Sequence, residues 1–187
     1  GNILYFAATT PQGNGVWRTD GTETGTKAFT FMREVINDVA YANEQLFVVD
    51  SINRLHIINL IDDTVEIIDL SNRLNLYRVN TPSTYLHPLN DLIIFQGTNS
   101  SGEREIWRTD GTPSGTFRLT NLANISGRQE IRYRISHNNL LFFTIRDEDG
   151  YQLWRTNGTE SGTYALTDPA GEVVYYGGSD YATLGAS

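Results

Sequence analysis

The stretch VWRTDGTETGTKAF at residues 16–29 decides the fold, because two closely related stretches follow it in the chain. They are IWRTDGTPSGTFRL at residues 106–119 and LWRTNGTESGTYAL at residues 153–166. A motif that recurs with fixed internal offsets specifies one supersecondary unit, and such a unit buries its apolar face by stacking on a neighbouring copy. The chain is therefore predicted to be an array of repeats.

The spacing of the motif predicts four units. Trp107 and Trp154 are 47 residues apart, whereas Trp17 and Trp107 are 90 apart, which is close to two periods. A disguised copy is therefore expected between them. Residues 54–70, RLHIINLIDDTVEIIDL, supply it, with Ile57 in the place of the tryptophan and residues 62–64 in the turn.

Apolar segments upstream of each turn are expected to form buried strands, since short runs of this kind are typical of them. They lie at residues 3–8, 46–49, 92–95 and 140–143, with Phe6, Val48, Phe95 and Phe143 ahead of the tryptophan position. Weaker alternating segments precede them, at residues 38–42, 84–88 and 131–135, and residues 172–176 supply a fourth. Four short strands in a period in the forties, without helical periodicity, are typical of a β-propeller blade.

The predicted fold is all-β: one four-bladed β-propeller over residues 1–187, with four antiparallel strands in each blade. Its blades are expected at residues 1–31 with 172–187, 37–70, 83–120 and 129–168. The chain enters at the second strand of a blade and leaves after a first strand, so both termini are expected to close the first blade. Closure of the ring would remove exposed sheet edges, which favours a complete four-bladed propeller over the alternative of a slice of a larger one.

The repeated residues are predicted to have structural roles. An Asp-Gly or Asn-Gly pair favours a turn, because glycine reaches positive φ without steric cost. The second glycine of each copy is expected at another special backbone position, and the tryptophan is expected to pack between sheets. These positions are Trp17, Gly21, Gly25, Trp107, Gly111, Gly115, Trp154, Gly158 and Gly162.

Composition excludes several classes of function. The formal net charge is −8 and Lys27 is the only lysine, so a basic nucleic-acid-binding face is not expected. Cysteine is absent, which excludes disulfides and thiol chemistry. No apolar run reaches membrane-spanning length. Because the chain begins inside a blade, we expect it to belong to a larger parent chain with other domains.

The turn resembles a known pattern, the ELWxxDGTxxGT repeat of propeller-like regions in large exported bacterial proteins. Residues 17–26, 107–116 and 154–163 carry its core letters, and the repeat with its upstream strands covers nearly the whole chain. Asn157 replaces the aspartate in one copy, Glu105 alone retains the first glutamate, and the second blade lacks the tryptophan and both glycines. The resemblance implies the architecture and an extracellular or cell-surface setting, and it implies no common enzymatic activity.

Residues with recognisable chemistry are few. His56, His87 and His137 have no metal-ligand spacing, and no phosphate loop or nucleophile elbow is present. Asp147 and Asp149 are candidate Ca²⁺ ligands, since carboxylates on a flexible loop suit that ion, although equivalent loops lack such acids. No other cofactor is expected.

Variable loops on a rigid ring usually carry binding, so the loops opposite the conserved turns are the candidate surface. They comprise residues 9–13, 71–82, 99–103, 121–128 and 147–151. Within them the candidate ligand-binding residues are Tyr77, Arg78, Arg128, Asp147 and Asp149.

We expect a non-enzymatic recognition or spacer module that binds protein or glycan through these loops. Two alternatives stay open. One is a glycan-active enzyme with acids at the channel mouth, and the other is a purely structural ring that carries neighbouring domains.

Overall fold

The computed structural model describes residues 3–62, 64–70, 75–76, 86–98, 104–122 and 131–176. Within these ranges the chain forms strands, turns and irregular segments, and no helix there is long and apolar enough to cross a membrane. The strands assemble into four antiparallel sheets. The predicted all-β class and the four repeated sheets are therefore confirmed.

The first two sheets are meanders in which consecutive strands pair. The first sheet consists of β1 (Leu4–Thr10), β2 (Gly13–Thr19) and β3 (Lys27–Met32). The second consists of β4 (Ile36–Ala42), β5 (Gln45–Asp50), β6 (Arg54–Asn59) and β7 (Val65–Asp69). The disguised second unit predicted from the spacing thus forms a complete four-stranded sheet.

The third and fourth sheets repeat this meander and each gains one extra short strand. The third contains β8 (Asn75–Leu76), β9 (Leu86–Leu89), β10 (Leu92–Thr98), β11 (Arg104–Thr109) and β12 (Phe117–Arg118). The fourth contains β13 (Ile131–His137), β14 (Leu140–Arg146), β15 (Tyr151–Thr156), β16 (Tyr164–Ala165) and β17 (Tyr175–Tyr176). Both β8 and β9 pair with β10, and both β16 and β17 pair with β15.

The third and fourth sheets each bury their tryptophan-bearing face against the sheet that precedes them. Phe95 lies opposite Trp107 in the register of the third sheet, and both pack in a cluster with the second sheet. Phe143 lies opposite Trp154 in the fourth sheet, with ring centroids 6.2 Å apart, and both pack in a cluster with the third sheet. The predicted packing role of these two tryptophans is confirmed.

The second sheet shifts this pattern by one residue. Val48 and Ile58 face the first sheet, as the predicted buried position at Val48 requires. Ile57 points the other way, opposite Phe47, into the cluster shared with the third sheet. Ile57, which was predicted at the tryptophan position, therefore lies on the opposite face from Val48, because side chains alternate along a strand and the register partner of Val48 is His56.

Three clusters of buried apolar residues join the sheets in series: first to second, second to third, and third to fourth. A closed ring of four sheets needs a fourth cluster between the fourth sheet and the first. Among the described residues no cluster joins the fourth sheet to the first.

The described part of the C-terminal segment, which was predicted to complete the first sheet, lies against the fourth sheet instead. Tyr175 and Tyr176 pair with Gln152 and Tyr151 of β15, and the N–H of Leu153 donates to the carbonyl of residue 174. For residues 172–176 the predicted closure of the first blade was wrong. The physical reason is that β16 covers only part of β15, which leaves backbone groups of β15 free to accept β17. Residues 177–187 lie outside the described part.

The repeated turn is a closed hydrogen-bond circuit. Oδ1 of Asp110 accepts from the N–H and the hydroxyl of Thr112 at 2.9 and 2.7 Å, and Oγ1 of Thr112 accepts from the N–H of Gly115 at 2.9 Å. The hydroxyl of Thr116 donates to the carbonyl of Thr112 at 2.7 Å and lies 2.7 Å from that of Thr109. The same bonds recur in the first and fourth copies, at residues 19–26 and 156–163. Each conserved residue of the DGTxxGT turn thus forms a hydrogen bond through a backbone or side-chain group.

The eroded second copy keeps the centre of this circuit. Oδ1 of Asp62 accepts from the N–H and the hydroxyl of Thr64 at 3.1 and 2.7 Å. The aspartate-threonine contact is therefore kept in the turn between β6 and β7, although the tryptophan and both glycines are absent.

The two glycines of the motif are required for different reasons. Gly111 has φ of 93°, a conformation that side chains strongly disfavour. Gly115 has ordinary φ, but a methyl group there would overlap the carboxylate of Asp110. The second glycine is thus required because a side chain would not fit beside Asp110. The sequence analysis had predicted a special backbone conformation there instead.

Replacement of Gly115 by alanine is expected to lower the free energy of unfolding by about 3 kcal/mol, because the new methyl group displaces Asp110 and breaks its bonds. Gly21→Ala is the matched control, since no described atom lies within 4 Å of a methyl group there and φ is 91°. It is expected to cost about 1 kcal/mol through backbone strain alone. Urea unfolding followed by circular dichroism measures both; equal losses would contradict the steric explanation.

Candidate functional site

A buried aspartate closes the loop between β5 and β6. Asp50 is fully buried, and its Oδ1 accepts from the N–H groups of Ile52 and Arg54 at 3.0 and 2.9 Å. Its Oδ2 accepts from Nε of Arg54 at 2.7 Å and lies 2.9 Å from Nε2 of His56. Arg54 in turn pairs with Glu34 at 2.7 Å. The four side chains form one polar cluster at the end of the strand opposite the conserved turns.

The electrostatics of this cluster favour a fixed charge. Burial raises the pKa of Asp50, but the hydrogen bonds from His56, Arg54 and the backbone N–H groups together outweigh that effect and lower it below its usual value. The same ion pair raises the pKa of the Arg54 guanidinium. Asp50 is therefore suited to hold the loop as a carboxylate, whereas a general acid needs a raised pKa.

Asp147 has the corresponding position after β14 in the fourth sheet. Its Oδ1 accepts from the N–H groups of Asp149 and Gly150 at 3.0 and 2.8 Å. Its Oδ2 accepts from Nε2 of Gln152 at 2.5 Å and from the hydroxyl of Tyr175 at 3.2 Å. Asp147 is only 9% exposed, and its carboxylate already accepts four hydrogen bonds.

This geometry bears on the predicted calcium site. Asp147 and Asp149 are brought together, but through a backbone N–H of Asp149, whose side chain is exposed. In the described ranges no group of three or more His, Cys, Asp or Glu residues could hold a metal ion. The calcium site stays a prediction, and the use of both Asp147 oxygens within the loop does not favour it.

A third buried carboxylate, Glu105, was not singled out from the sequence as a site residue. It is 1% exposed and accepts from the hydroxyl of Thr120 at 2.5 Å and from the N–H of Leu122 at 3.0 Å. Arg118 lies 3.7 Å away. Glu105 thus holds the chain that follows β12 against β11. Its place in the motif, two residues before Trp107, is the signal that sequence reasoning could have used.

The other predicted binding residues, Tyr77, Arg78 and Arg128, lie outside the described residues. The candidate face is therefore described only in part, at residues 9–13, 75–76, 121–122 and 147–151. In the fourth-sheet part of that face Arg132 and Arg146 place their guanidinium groups over the ring of Tyr151, at 4.9 and 5.6 Å from its centroid.

A cavity of about 800 Å³ lies between β1, β4 and β9. Its walls are mostly apolar and are formed by Ile3, Leu4, Tyr5, Val39, Ala40, Tyr41, Leu46, Leu60, Leu86, His87 and Pro88. Several of these residues flank the turn between β4 and β5, on the side of the conserved turns and opposite the predicted binding loops. Sequence reasoning missed this cavity, because its wall is assembled from three sheets.

Two polar side chains give the cavity its chemistry. Tyr41 is 52% exposed. His87 has Nε2 at 2.9 Å from the hydroxyl oxygen of Ser136, and burial lowers its pKa, so it is neutral near pH 7. The cavity therefore offers an uncharged surface with an aromatic ring at its edge.

Comparison with known proteins shows the fold alone. No protein-family model matches the sequence, and no curated protein sequence matches it. Among solved structures, the chain is similar to TolB from Acinetobacter baumannii, with a TM-score of 0.53 and 16% identity, over 91% of this chain and 42% of that one. A nidogen/laminin complex gives a TM-score of 0.49, with 15% identity over 88% and 60%, and the N-terminal domain of Nup159 gives 0.41, with 9% identity over 92% and 65%.

These structures are β-propeller proteins, and the likeness to TolB supports the propeller architecture of the four sheets. The chain spans about two-fifths of the length of the TolB chain and three-fifths of that in the nidogen/laminin complex.

Replacement of Asp50 by asparagine is expected to cost about 3 kcal/mol at pH 7, because it leaves Arg54 without its buried partner. The folded-state pKa of Asp50 is lowered, so its contribution is complete above the unfolded value of about 4 and is lost as pH falls through the folded value. Urea unfolding between pH 7 and pH 3 should therefore show the two proteins converging in acid. A constant difference over that range would contradict the assigned ionisation.

Replacement of Asp147 by alanine is expected to cost about 3 kcal/mol, since four donors lose their acceptor. The loss should be the same in calcium as in chelator, because the oxygens act within the loop. Melting temperature measured in both conditions tests this, with Asp149→Ala as the control that leaves the Asp147 carboxylate in place. A wild-type melting temperature raised by calcium, but not in either variant, would restore the calcium site.

Proposed function

We propose that this chain is a non-enzymatic recognition module of an exported bacterial protein, and that it binds protein or glycan. The observation that carries the proposal is that the buried carboxylates act as hydrogen-bond acceptors within the framework. Asp50, Glu105 and Asp147 each accept hydrogen bonds from neighbouring N–H or O–H groups and fix a loop or an outer strand. Their role in holding the framework supports binding in preference to catalysis.

The alternative of a glycan-active enzyme has specific requirements that these acids meet poorly. Glycoside hydrolysis uses two carboxyl groups on either side of the scissile bond, one of them with a raised pKa so that it can donate a proton. The pKa of Asp50 is lowered, and Asp147 has donors on both oxygens. Neither is therefore placed as a general acid.

The repeat family and the setting belong to the same proposal. Each letter of the turn in the ELWxxDGTxxGT pattern has a role in the hydrogen-bond circuit, which supports a common origin with those repeats. An exported, cell-surface location and further domains in a parent chain follow from that relationship.

Two surfaces are suited to recognition. The first is the predicted loop face, to which the sequence analysis assigns Tyr77, Arg78 and Arg128, because loops on rigid sheets present variable side chains. The second is the cavity beside Tyr41, whose apolar wall and aromatic edge suit an apolar side chain or the face of a sugar ring.

A glycan array combined with hydrolysis assays on the same polysaccharides tests the proposal. Binding without release of product is expected. For the ligand found, Tyr77→Ala with Arg78→Ala reports on the loop face and Tyr41→Ala on the cavity, and one of them should weaken binding at least about tenfold. Tyr164→Ala, at an exposed position on an outer strand, is the control.

The outcomes separate the candidates. Release of sugar from any polysaccharide would overturn the non-enzymatic assignment. Binding that survives both sets of substitutions would overturn the choice of surfaces while leaving recognition itself in place.

A further inference from the structure

The fourth copy of the conserved turn differs from the others at its first position. Asp20, Asp62 and Asp110 carry a carboxylate there, whereas the fourth copy has the carboxamide of Asn157, followed by Gly158. An Asn-Gly pair is prone to deamidation, because glycine places no side chain beside the main-chain nitrogen that attacks the carboxamide. Loss of ammonia from Asn157 would give the fourth turn the carboxylate of the other copies.

The hydrogen bonds of the turn activate this carboxamide. Oδ1 of Asn157 accepts from the N–H and the hydroxyl of Thr159 at 3.0 and 2.7 Å. These donors withdraw electrons from Cγ, and they are already in place for the negative charge that develops on Oδ1 during attack. The N–H of Gly158, whose nitrogen attacks, donates to Oγ1 of Thr156 at 2.9 Å. Because Asn157 is exposed, water reaches the group and ammonia can leave.

A second Asn-Gly pair, Asn14 with Gly15, is held differently by the fold. It lies in β2, the central strand of the first sheet, which pairs with β1 on one side and β3 on the other. Oδ1 of Asn14 accepts from the hydroxyl of Thr9 at 2.8 Å, so the two asparagines differ mainly in their backbone. Ring closure bends the backbone at the asparagine, and an extended strand paired on both sides resists this bend.

The donors of the turn favour a charged group at the position of Asn157. In the first copy the hydroxyl and the N–H of Thr22 lower the pKa of Asp20. In the second copy the same groups of Thr64 lower the pKa of Asp62. Hydrogen bonds donated to a carboxylate stabilise its ionised form, and Thr159 offers the same two donors in the fourth copy.

Neighbouring arginines supply positive charge to the same place. Nη1 of Arg108 donates to the carbonyl of Gly158 at 3.1 Å, and Nη2 of Arg108 lies 3.4 Å from Oδ2 of Asp110 in its own turn. Arg155 has the corresponding place in the fourth copy, two residues before Asn157. Its Nε is buried and has no hydrogen-bond acceptor among the described residues. Nδ2 of Asn157 can only donate, whereas a carboxylate there would give Arg155 an ion-pair partner.

We propose that Asn157 is a site of spontaneous deamidation, which converts the fourth turn to the carboxylate form of the other copies. The nitrogen of Gly158 bonds to Cγ, the bond from Cγ to Nδ2 breaks, and Nδ2 leaves as ammonia with the hydrogen that Gly158 gives up. Water then cleaves the new bond between Cγ and the nitrogen. Its hydroxyl goes to Cγ and its hydrogen returns to the nitrogen, so one water is consumed and one negative charge is gained.

The same donors select the product. Water can open the cyclic imide at Cγ, which gives aspartate, or at the main-chain carbonyl, which gives isoaspartate. Thr159 polarises the carbonyl at Cγ, so attack there is favoured. Isoaspartate would also add a carbon atom to the backbone of the turn and break its hydrogen-bond circuit. Aspartate is therefore the expected product in the folded protein.

Mass spectrometry of the 187-residue protein, kept folded in mildly alkaline buffer made with heavy-oxygen water, tests the proposal. The heavy oxygen is expected in the peptide that contains Asn157 and not in the peptide that contains Asn14. Fragmentation of the labelled peptide distinguishes aspartate from isoaspartate. Protein unfolded in guanidinium chloride is the reference, because both Asn-Gly pairs are released there and should react at similar rates.

Two threonine variants separate activation by the turn from loosening of the turn. Thr159→Val removes the hydroxyl donor to Oδ1 and should slow the reaction roughly fivefold, the equivalent of one hydrogen bond. Thr163→Val is the matched control, since that hydroxyl donates to the carbonyl of Thr159 at 2.6 Å and not to Asn157. It should not slow the reaction. Asn157→Asp supplies the product directly and should melt no lower than the wild type.

Four results would overturn the proposal. Equal labelling at Asn14 and Asn157 in the folded protein means that the fold does not distinguish them. Absence of label at Asn157 while the unfolded protein reacts means that the turn protects it. Faster reaction in Thr159→Val removes the role of its hydroxyl. Isoaspartate as the main product, or a lower melting temperature of Asn157→Asp, means that the turn does not favour the carboxylate.

Discussion

The structure depends on one packing relation, the burial of an aromatic sheet face against the sheet before it. A phenylalanine or tryptophan that loses about 200 Å² of apolar surface to burial gains about 5 kcal/mol as an upper estimate. A hydrogen bond of the conserved turn adds a net amount nearer 1 kcal/mol. Each aromatic residue of the pairs Phe95 with Trp107 and Phe143 with Trp154 can therefore contribute more to stability than a single hydrogen bond of the turn, and the turns fix the geometry.

The turns and the buried carboxylates make that packing precise. Asp110 holds one end of the hairpin between β11 and β12, and Glu105 holds the chain after β12 against the same sheet. At the opposite ends of the strands Asp50 and Asp147 close their loops in the same manner. In the second sheet carboxylates thus fasten both ends, Asp62 at the turn and Asp50 at the loop, whereas the turn of the fourth sheet uses the amide of Asn157.

The structural features that repeat along the chain could be predicted from the sequence, whereas features formed by residues of several strands or sheets could not. Fixed offsets in the motif were enough to predict four sheets and the buried pair of Phe143 with Trp154. In the eroded copy Ile57 was predicted at the tryptophan position, but its side chain faces the following sheet, because a shift of one residue reverses the face of a strand. The pairing of Tyr175 with β15 depends on how far β16 extends, which local patterning does not encode.

The candidate site belongs to the features that packing assembles and that the sequence pattern does not predict. The cluster of Asp50, Arg54 and His56 joins a loop to two positions of β6, and only burial makes its charges interdependent. The cavity beside Tyr41 needs β1, β4 and β9 to be placed relative to one another. Neither feature is marked by a sequence motif. The repeated motif marks the turns, whereas the residues of these two features are brought together only when the strands and sheets pack.

The conserved turns differ in what surrounds them and not in their own hydrogen bonds. The turns at Gly111 and Gly158 are covered by Gln45 and Leu92 of the preceding sheets, whereas no described atom lies within 4 Å of a methyl group placed on Gly21. The hydrogen bonds within the three turns are nevertheless the same. The conformation of the turn is therefore set by its own residues, and a covering sheet adds burial without changing it.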